Sequence, residues 1–205
     1  MTITASGANA GAALDAAAAR IAELDGKWSM QKPQSEVWRL NHLAAGQKTT
    51  LSQDTYALMQ KALEYARQTE GAFDPTVAPV VQAWGINGEN PRIPTDAELA
   101  ALLPLVGYEG LLLQDGQAGF AKAGMQADLG AIGKGAASDE AVRVLQEGGA
   151  KTALLSLGGN IAVFGQKEAG RPYRIGIRDP NGGPQDTVGF LTAMDAAVVT
   201  SGDYE

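Results

Sequence analysis

Apolar residues recur with a helical period of about 3.6 residues in three long segments, residues 10–25, 53–69 and 135–147. Gly26 predicts the end of the first helix, and Ser52 is a favourable N-cap for the second. One buried face is predicted on each helix, and on the second helix it consists of Leu58, Ala62, Tyr65 and Ala66. Each helix is therefore expected to cover a core with one side and to meet solvent with the other.

Shorter apolar runs, separated by clusters of Gly, Asn and Asp, are typical of β-strands. A hairpin is predicted around Asp115-Gly116, and a single strand over residues 125–129. Further strands are predicted over residues 1–4, 152–157, 161–164, 173–178, 187–193 and 197–200. Because helices and hairpins mix without regular β-α-β alternation, the pattern predicts an α+β layered fold with mixed, largely antiparallel sheets and flanking helices. The chain starts within one strand and stops just after another, so we expect a single domain over residues 1–205 that is incomplete at its C-terminal end.

Composition narrows the classes of function. The formal net charge of −7, with no cluster of Lys and Arg, argues against nucleic acid or an anionic membrane as the partner. The absence of cysteine excludes disulfides, thiolate zinc sites and cysteine nucleophiles. His42 is the single histidine and follows a predicted helix end, so it is interpreted as a surface or capping residue. No stretch approaches the ~20 apolar residues of a membrane-spanning helix, so no transmembrane segment is expected in this chain.

The strongest candidate for chemistry is the run Ala127–Ala136, in which three glycines and Lys134 lie between a predicted strand and a predicted helix. Backbone N–H groups in such a turn, together with the following helix N-terminus, form an anion-binding concavity. The run has neither the P-loop spacing nor the dinucleotide-binding spacing. Many glycine-rich turns bind nothing, so these residues alone leave two interpretations open, a phosphate site and an ordinary turn.

Asp74, Asp128 and one hydroxyl-rich segment also have two interpretations each, whereas Asp139 has one. Asp74 lies beside Pro75. Its carboxylate either binds a ligand, through a base or a ribose, or accepts hydrogen bonds from nearby backbone N–H groups of a turn. Asp128 has either a functional role, in which it orients the glycine run or approaches a metal, or a structural role, in which it caps the following helix. Asp139 is expected in the first turn of that helix, where it complements the dipole. Thr200-Ser201-Gly202 either touches a phosphate or forms an ordinary turn.

Six short motifs are spread over nearly the whole chain. They are Ser35-Glu36 with Arg39-Leu40-Asn41, Gly71–Val77 with Trp84-Gly85, Asp128–Gly135, Leu157–Ile161, Ile175–Pro180 and Thr200–Tyr204. In this order they resemble the motifs of the ApbE family of FAD:protein FMN transferases. Each motif alone is weak, and the ordered series is specific. The resemblance implies an ApbE/T-fold-like layered fold.

The resemblance also implies an activity. Members of this family bind FAD, cleave its pyrophosphate with the help of Mg²⁺, and transfer FMN to a Thr or Ser hydroxyl with release of AMP. The acceptors are flavoprotein subunits of ion-pumping redox complexes, and family members usually work in the periplasm or otherwise outside the cytoplasm, often as lipid-anchored proteins. The alternative from a different class is a non-catalytic FAD-binding or flavin carrier module, or an inactive fragment. Release of AMP from FAD would separate the two.

By resemblance, Ala72, Phe73, Asp74 and Gly130 contact FAD, and the backbone carbonyl of Gly133 binds Mg²⁺. A carbonyl oxygen is a suitable ligand for this hard cation and requires no particular side chain at the position. The resemblance assigns no catalytic residue within this chain.

The chain departs from the family pattern in three places. Gln31 and Ala136 occupy cofactor-binding positions at which the family has aromatic residues, so stacking on the flavin nucleotide is expected to be weaker. The third departure follows Tyr204, where family members continue with segments that carry further metal ligands. We therefore expect this chain to bind flavin weakly and to transfer FMN poorly unless the missing segment is supplied.

Overall fold

The computed structural model describes residues 1–86, 88, 90–167, 170–183 and 185–201. The helices are α1 (Ala10–Trp28), α2 (Glu36–Asn41), α3 (Gln53–Gln68), α4 (Ala78–Trp84), α5 (Asp96–Leu102) and α6 (Gly130–Glu147). The strands are β1 (Thr2–Ser6), β2 (Lys48–Thr50), β3 (Leu111–Gln114), β4 (Gln117–Phe120), β5 (Thr152–Leu157), β6 (Asn160–Phe164), β7 (Tyr173–Arg178), β8 (Thr187–Ala193) and β9 (Ala196–Val199). No helix in the described part of the chain is long and apolar enough to span a membrane.

The chain divides into two compact units. Unit 1 comprises Met1–Glu23 and Lys134–Glu205, and unit 2 comprises Leu24–Gly133. Both boundaries fall inside helices, α1 and α6. Neither boundary is therefore marked by a loop or by the composition of a linker.

Unit 1 is built on a four-stranded antiparallel sheet in the order β1-β5-β6-β9. Side chains alternate between its two faces, as strand geometry requires. One face packs on α1 and α6 through a cluster of small and branched side chains, namely Ala13, Ala17, Ala141, Leu145, Ala153, Leu155, Ala162 and Phe164. The alanines on both helices let the helix backbones approach the sheet closely. Unit 1 thus has a helical layer on one side of its sheet.

The opposite face of the same sheet is covered by the antiparallel pair of β7 and β8. Tyr173, Ile175 and Ala193 from this pair form a second cluster with Val163 of β6. The pair is covered only in part, because apolar side chains on both faces of β8 remain exposed. They are Val188 (65% exposed), Phe190 (52%) and Leu191 (50%).

Unit 2 holds a three-stranded antiparallel sheet in the order β2-β4-β3, with α3 packed against β3. The β3–β4 hairpin is confirmed, and Asp115 and Gly116 both have positive φ (50° and 77°), as a two-residue type I′ turn requires. The buried stripe of α3 consists of Thr55, Leu58, Met59, Ala62, Leu63 and Ala66. The prediction that Tyr65 belongs to this stripe is wrong, because its side chain is exposed.

The run Ala127–Ala136 is helical from Gly130 onward, which corrects the prediction of a turn between a strand and a helix. α6 begins at Gly130 rather than at residue 135, so Gly130, Gly133 and Gly135 lie in its first two turns. None of these three residues has a positive φ. Asp139 is therefore more than two turns from the N-terminus of the helix, and its predicted place in the first turn is wrong. Gly26 likewise does not end α1, which continues to Trp28.

Residues 125–129 do not form a strand, contrary to the prediction. Gln126 makes one isolated parallel bridge, to Val77. Ala127 instead bonds to the Asn41 carboxamide: its N–H donates to Oδ1 (2.7 Å) and its carbonyl accepts from Nδ2 (2.8 Å). Because a side chain takes both main-chain groups of Ala127, a neighbouring strand cannot pair with them.

Candidate functional site

The loop between α1 and α2 carries Gln31. The Ser29 hydroxyl accepts the N–H groups of Gln31 and Lys32 (3.3 Å each), and its carbonyl accepts the Ser35 hydroxyl (2.5 Å). The Ser35 oxygen also accepts the Trp38 N–H (2.9 Å), so Ser35 is the N-cap of α2. Gln31 itself is exposed. The position is therefore open to a ligand, but without an aromatic ring.

Glu36 and Asn41 of the first motif also hold main chain in place within unit 2. Glu36 accepts both the N–H and the hydroxyl of Ser52 (2.9 and 3.1 Å), which fixes the start of α3. Asn41 is 8% exposed and clamps Ala127, one residue before Asp128. The motif thus acts by positioning two other segments rather than by presenting reactive groups.

Asp74 uses both carboxylate oxygens to hold main chain. Oδ1 accepts the Thr76 N–H (2.7 Å) and the Thr76 hydroxyl (2.6 Å), and Oδ2 accepts the Tyr108 N–H (2.8 Å). Thr76, which is fully buried, accepts the Gly107 N–H on its hydroxyl oxygen (2.8 Å). The structure therefore supports the interpretation of Asp74 as a turn carboxylate, and Oδ2 keeps a lone pair for a further donor. Partial burial, and then the Glu109 carboxylate, raise the pKa of the Tyr108 hydroxyl.

The structure brings the second and third motifs together in unit 2. The Asp128 N–H donates to the Pro75 carbonyl (2.8 Å), and the Val77–Gln126 bridge lies next to it. This contact joins Asp128 to the residue that follows Asp74, although the two aspartates are 54 positions apart in the chain. Both motifs are recognisable in the sequence, but nothing in either one indicates that they pair.

Asp128 caps the N-terminus of α6. Its Oδ1 accepts the Gly130 N–H (2.7 Å), which supports the capping interpretation. The Leu129 carbonyl accepts the N–H groups of Ile132 and Gly133 (3.1 and 2.7 Å). Among the described residues, Ala131 is left with an N–H that has no acceptor, and its position is exposed. This helix end can therefore meet an anion with its partial positive charge.

The predicted metal ligand, the Gly133 carbonyl, lies inside α6, where carbonyls accept helical N–H groups. Mg²⁺ prefers near-octahedral coordination by about six oxygens. The described residues contain no cluster of three or more carboxylates or histidines that would complete such a set. These residues by themselves do not make a magnesium site.

Ala136 and Gly135 lie in the part of α6 that belongs to unit 1. A Cβ atom at Gly135 would lie 3.7 Å from Nδ2 of Asn160, which is 5% exposed. Asn160 was identified only as part of the motif Leu157–Ile161, which did not indicate this placement against the helix. Its only signal was a polar residue at the start of an apolar strand.

The last motif is described only in part, because Gly202–Tyr204 lie outside the described residues. The Thr200 N–H donates to the Gly159 carbonyl (3.2 Å), which brings two motifs together within unit 1. His42, by contrast, is a C-cap residue of α2 whose ring stacks on Trp38 at a centroid distance of 3.9 Å. This confirms its interpretation as a capping residue.

Sequence comparison places these observations in a family. The model of the ApbE family matches residues 1–205. An FAD:protein FMN transferase from Treponema pallidum (strain Nichols) is 33% identical over 192 residues, which cover 86% of this chain and 53% of that protein. One from Vibrio cholerae serotype O1 is 31% identical, with coverages of 89% and 55%. The chain thus spans about half the length of the curated relatives it matches.

Structure comparison agrees with this result. The ApbE protein from Thermotoga maritima MSB8 superposes with a TM-score of 0.89 at 31% identity, covering 99% of this chain and 66% of that one. The flavin transferase ApbE from Vibrio cholerae gives 0.87 at 28% identity, with coverages of 98% and 67%. The α+β fold with antiparallel sheets is confirmed, and the chain belongs to the ApbE family.

Proposed function

We propose that this chain forms the flavin-nucleotide-binding part of an FAD:protein FMN transferase. In the proposed reaction a Thr or Ser hydroxyl of an acceptor protein attacks the FMN phosphorus of FAD. The phosphoanhydride bond breaks, a phosphoester bond forms, the hydroxyl proton is lost and AMP leaves. Positioning and electrostatic stabilisation supply most of the catalysis in phosphoryl transfer of this kind.

One observation carries the proposal: the Asp128 N–H to Pro75 carbonyl bond at 2.8 Å. It joins the segment of Ala72, Phe73 and Asp74 to the start of α6 within one unit. We propose that Ala72 and Phe73 contact the flavin nucleotide, and that Oδ2 of Asp74 accepts one further hydrogen bond from it. Gly130 is exposed at the N-terminus of α6, where a phosphate would be favoured.

Further parts of the proposal rest on the family resemblance alone. They are the dependence on Mg²⁺ with the Gly133 carbonyl as one ligand, a contact of Ala136 with the cofactor, acceptors that are flavoprotein subunits of ion-pumping redox complexes, and a location in the periplasm. The relatives from Treponema pallidum and Vibrio cholerae carry the name FAD:protein FMN transferase.

The activity is tested by incubating the chain with FAD, Mg²⁺ and an acceptor domain. The expected products are AMP and an acceptor whose mass has increased by that of one FMN group bound through its phosphate. The same mixture with EDTA is the control for the metal. A chain that binds FAD and leaves it intact with Mg²⁺ present would instead support the flavin carrier alternative, and a chain that does not bind FAD would overturn both.

The flavin site itself is tested by restoring a ring in the exposed loop. Gln31→Tyr is expected to tighten FAD binding by roughly threefold, because aromatic stacking contributes about 0.5–1.5 kcal/mol. Gln31→Leu is the matched control, since it adds apolar bulk without a stacking ring. Equal FAD affinities of the two variants, measured by quenching of flavin fluorescence, would exclude Gln31 from the site.

A further inference from the structure

A groove of about 550 Å³ runs along the outer edge of β3 in unit 2. The whole of β3 lines one wall, and Tyr56, Gln60, Leu63 and Arg67 of α3 line the other. These four helix residues follow a single stripe, which is about 16 Å long at 1.5 Å per residue. β3 is about 13 Å long, so the groove has the length of four to five residues of extended chain.

The edge of β3 has main-chain groups available for pairing. β3 is the last strand in the order β2-β4-β3, and its only strand partner in the described part of the chain is β4. Gln114 faces Gln117 across the two-residue turn, so Gln114 and Leu112 direct their N–H and carbonyl groups to β4. Leu111 and Leu113 direct theirs to the groove, where the Leu111 N–H is the only one of these groups that bonds to another described residue, the Tyr108 carbonyl.

β3 itself carries none of three devices that commonly block the edge of a sheet. Natural edge strands are commonly blocked by charged side chains, by proline or by a bulge. β3 consists of three leucines and a glutamine, pairs with β4 without a bulge, and leaves Leu112 42% exposed. The edge therefore remains able to accept another strand.

The charges on the groove are all of one sign. Lys48 and Arg67 are the charged residues that line it, in a chain whose net charge is −7. Lys48 extends over Gly119, and its Nζ donates to Oε1 of Gln114 (3.0 Å), which leaves two N–H groups available. The Arg67 guanidinium has no carboxylate within ion-pair distance among the described residues. A partner with carboxylates would therefore complement the groove.

We propose that this groove binds an extended acidic segment of a partner protein, which adds to the sheet as a strand beside β3. The Leu113 N–H and carbonyl and the Leu111 carbonyl would pair with its main chain, which is the established mode of β-augmentation. Alternate side chains of the segment would point to opposite faces of the sheet. On the face shared by Lys48 and Leu112, a carboxylate would meet Lys48 and an apolar side chain would cover Leu112. A carboxylate on the other face would meet Arg67. The proposal is independent of the flavin transferase activity.

The probe is an acetylated, amidated hexapeptide with the sequence Thr-Val-Glu-Glu-Val-Thr, which presents one Glu and one Val on each face of an extended strand and is studied with the full chain by NMR and calorimetry. Two further peptides are compared, one with Lys in place of Glu, and one with N-methyl groups on alternate residues to block strand pairing. Of the three peptides, only the acidic peptide with an unmodified main chain is expected to bind saturably. Its binding should slow hydrogen exchange of the Leu113 amide, while the Leu112 amide, already paired with β4, should change little.

Charge-reversal variants test the two cations. Arg67→Glu and Lys48→Glu are each expected to weaken binding of the acidic peptide by about tenfold, because an attraction becomes a repulsion. Lys61→Glu is the matched control: it lies on α3 outside the groove and changes the net charge equally. The proposal is overturned if the acidic peptide shows no saturable binding, if the Lys or N-methylated peptide binds equally well, or if all three variants bind alike.

Discussion

At the scale of single residues, Asn41 shows how one carboxamide replaces a length of strand. Its oxygen and nitrogen pair with the N–H and carbonyl of Ala127, as a neighbouring strand would. The two residues are 86 positions apart, so the bond also closes a long loop. The consequence is that the position of Asp128, and through it the N-terminus of α6, depends on a side chain in α2.

Asn41→Ala is predicted to lower the free energy of unfolding by about 2–3 kcal/mol, because two buried main-chain groups of Ala127 lose their partners. Urea denaturation measures the change. Arg39→Ala is the control in the same helix, since the Arg39 side chain is exposed, and it should change the stability by less than about 0.5 kcal/mol. Equal stabilities of the two variants would contradict the conclusion that the Asn41 carboxamide stabilises the main chain at Ala127.

Asn41→Asp refines this test. The introduced carboxylate still accepts the Ala127 N–H, but at neutral pH its second oxygen faces the Ala127 carbonyl and repels it. The variant should therefore be destabilised at pH 7 and should regain part of the loss at low pH, where the protonated carboxyl can donate to that carbonyl. Urea denaturation at pH 7 and pH 4 compares the two states, and a loss that does not depend on pH would argue against the bond to the carbonyl.

At the scale of elements, α6 contains glycines where its backbone does not require them. Gly133 has ordinary helical φ, and a Cβ atom there would approach no atom closer than Cε3 of Trp28, at 4.0 Å. At Gly130, a Cβ atom would lie 3.0 Å from Oδ1 of Asp128, the oxygen that caps the helix. The two glycines therefore differ in what a methyl group would do.

Gly133→Ala is predicted to stabilise the protein by about 0.5–1 kcal/mol, because alanine loses less backbone entropy in a helix. Gly130→Ala should show no such gain, since the methyl group displaces the cap. Thermal unfolding of both variants measures the difference. A gain in both, or in neither, would show that the cap geometry at Asp128 does not govern this helix end.

The N-terminus of α5 is held by a capping box of Thr95 and Glu98, and Arg92 adds two bonds to the Glu98 carboxylate (2.9 Å each). The bonds from Arg92, and then those from Thr95, lower the pKa of Glu98 from 4.5 to about 2. Because the folded pKa is depressed, the stabilisation is fully present above pH 4.5 and is lost as the pH falls towards 2.

Arg92→Gln is accordingly predicted to raise the pKa of Glu98 while leaving it below the ordinary value, since the bonds from Thr95 remain. An NMR titration that follows the Glu98 side-chain carboxyl carbon in both proteins checks the shift. An unchanged pKa in the variant would mean that Thr95, rather than Arg92, accounts for the depressed value.

At the scale of the whole molecule, the sequence predicted what local patterns determine. The alternation along β5 to β8 and the Asp115-Gly116 turn are local signals, and the corresponding strands are present. The missing strand at 125–129 and the early start of α6 were not predictable, because they depend on the distant side chain of Asn41 and on the cap of Asp128. The apolar residues within 125–129 predict a strand in either case, whether the main chain there pairs with another strand or with a carboxamide.

The candidate site was predictable as segments but not as an arrangement. The motifs around Asp74 and Asp128 were identified, and their contact through Pro75 was not, since no pattern encodes which segments meet. The buried Thr76, which links Asp74 to Gly107, was also missed. Nor did composition show where one unit ends, because both boundaries lie within helices that have an uninterrupted pattern.

The uncovered apolar side chains of β8 affect how folding of this chain is measured. Dyes such as ANS fluoresce on exposed hydrophobic surface, and Val188, Phe190 and Leu191 present such surface in the folded protein. Native protein should therefore give a dye signal that is usually attributed to a molten globule. Near-UV circular dichroism, which reports fixed aromatic packing, is the appropriate measure of unfolding here.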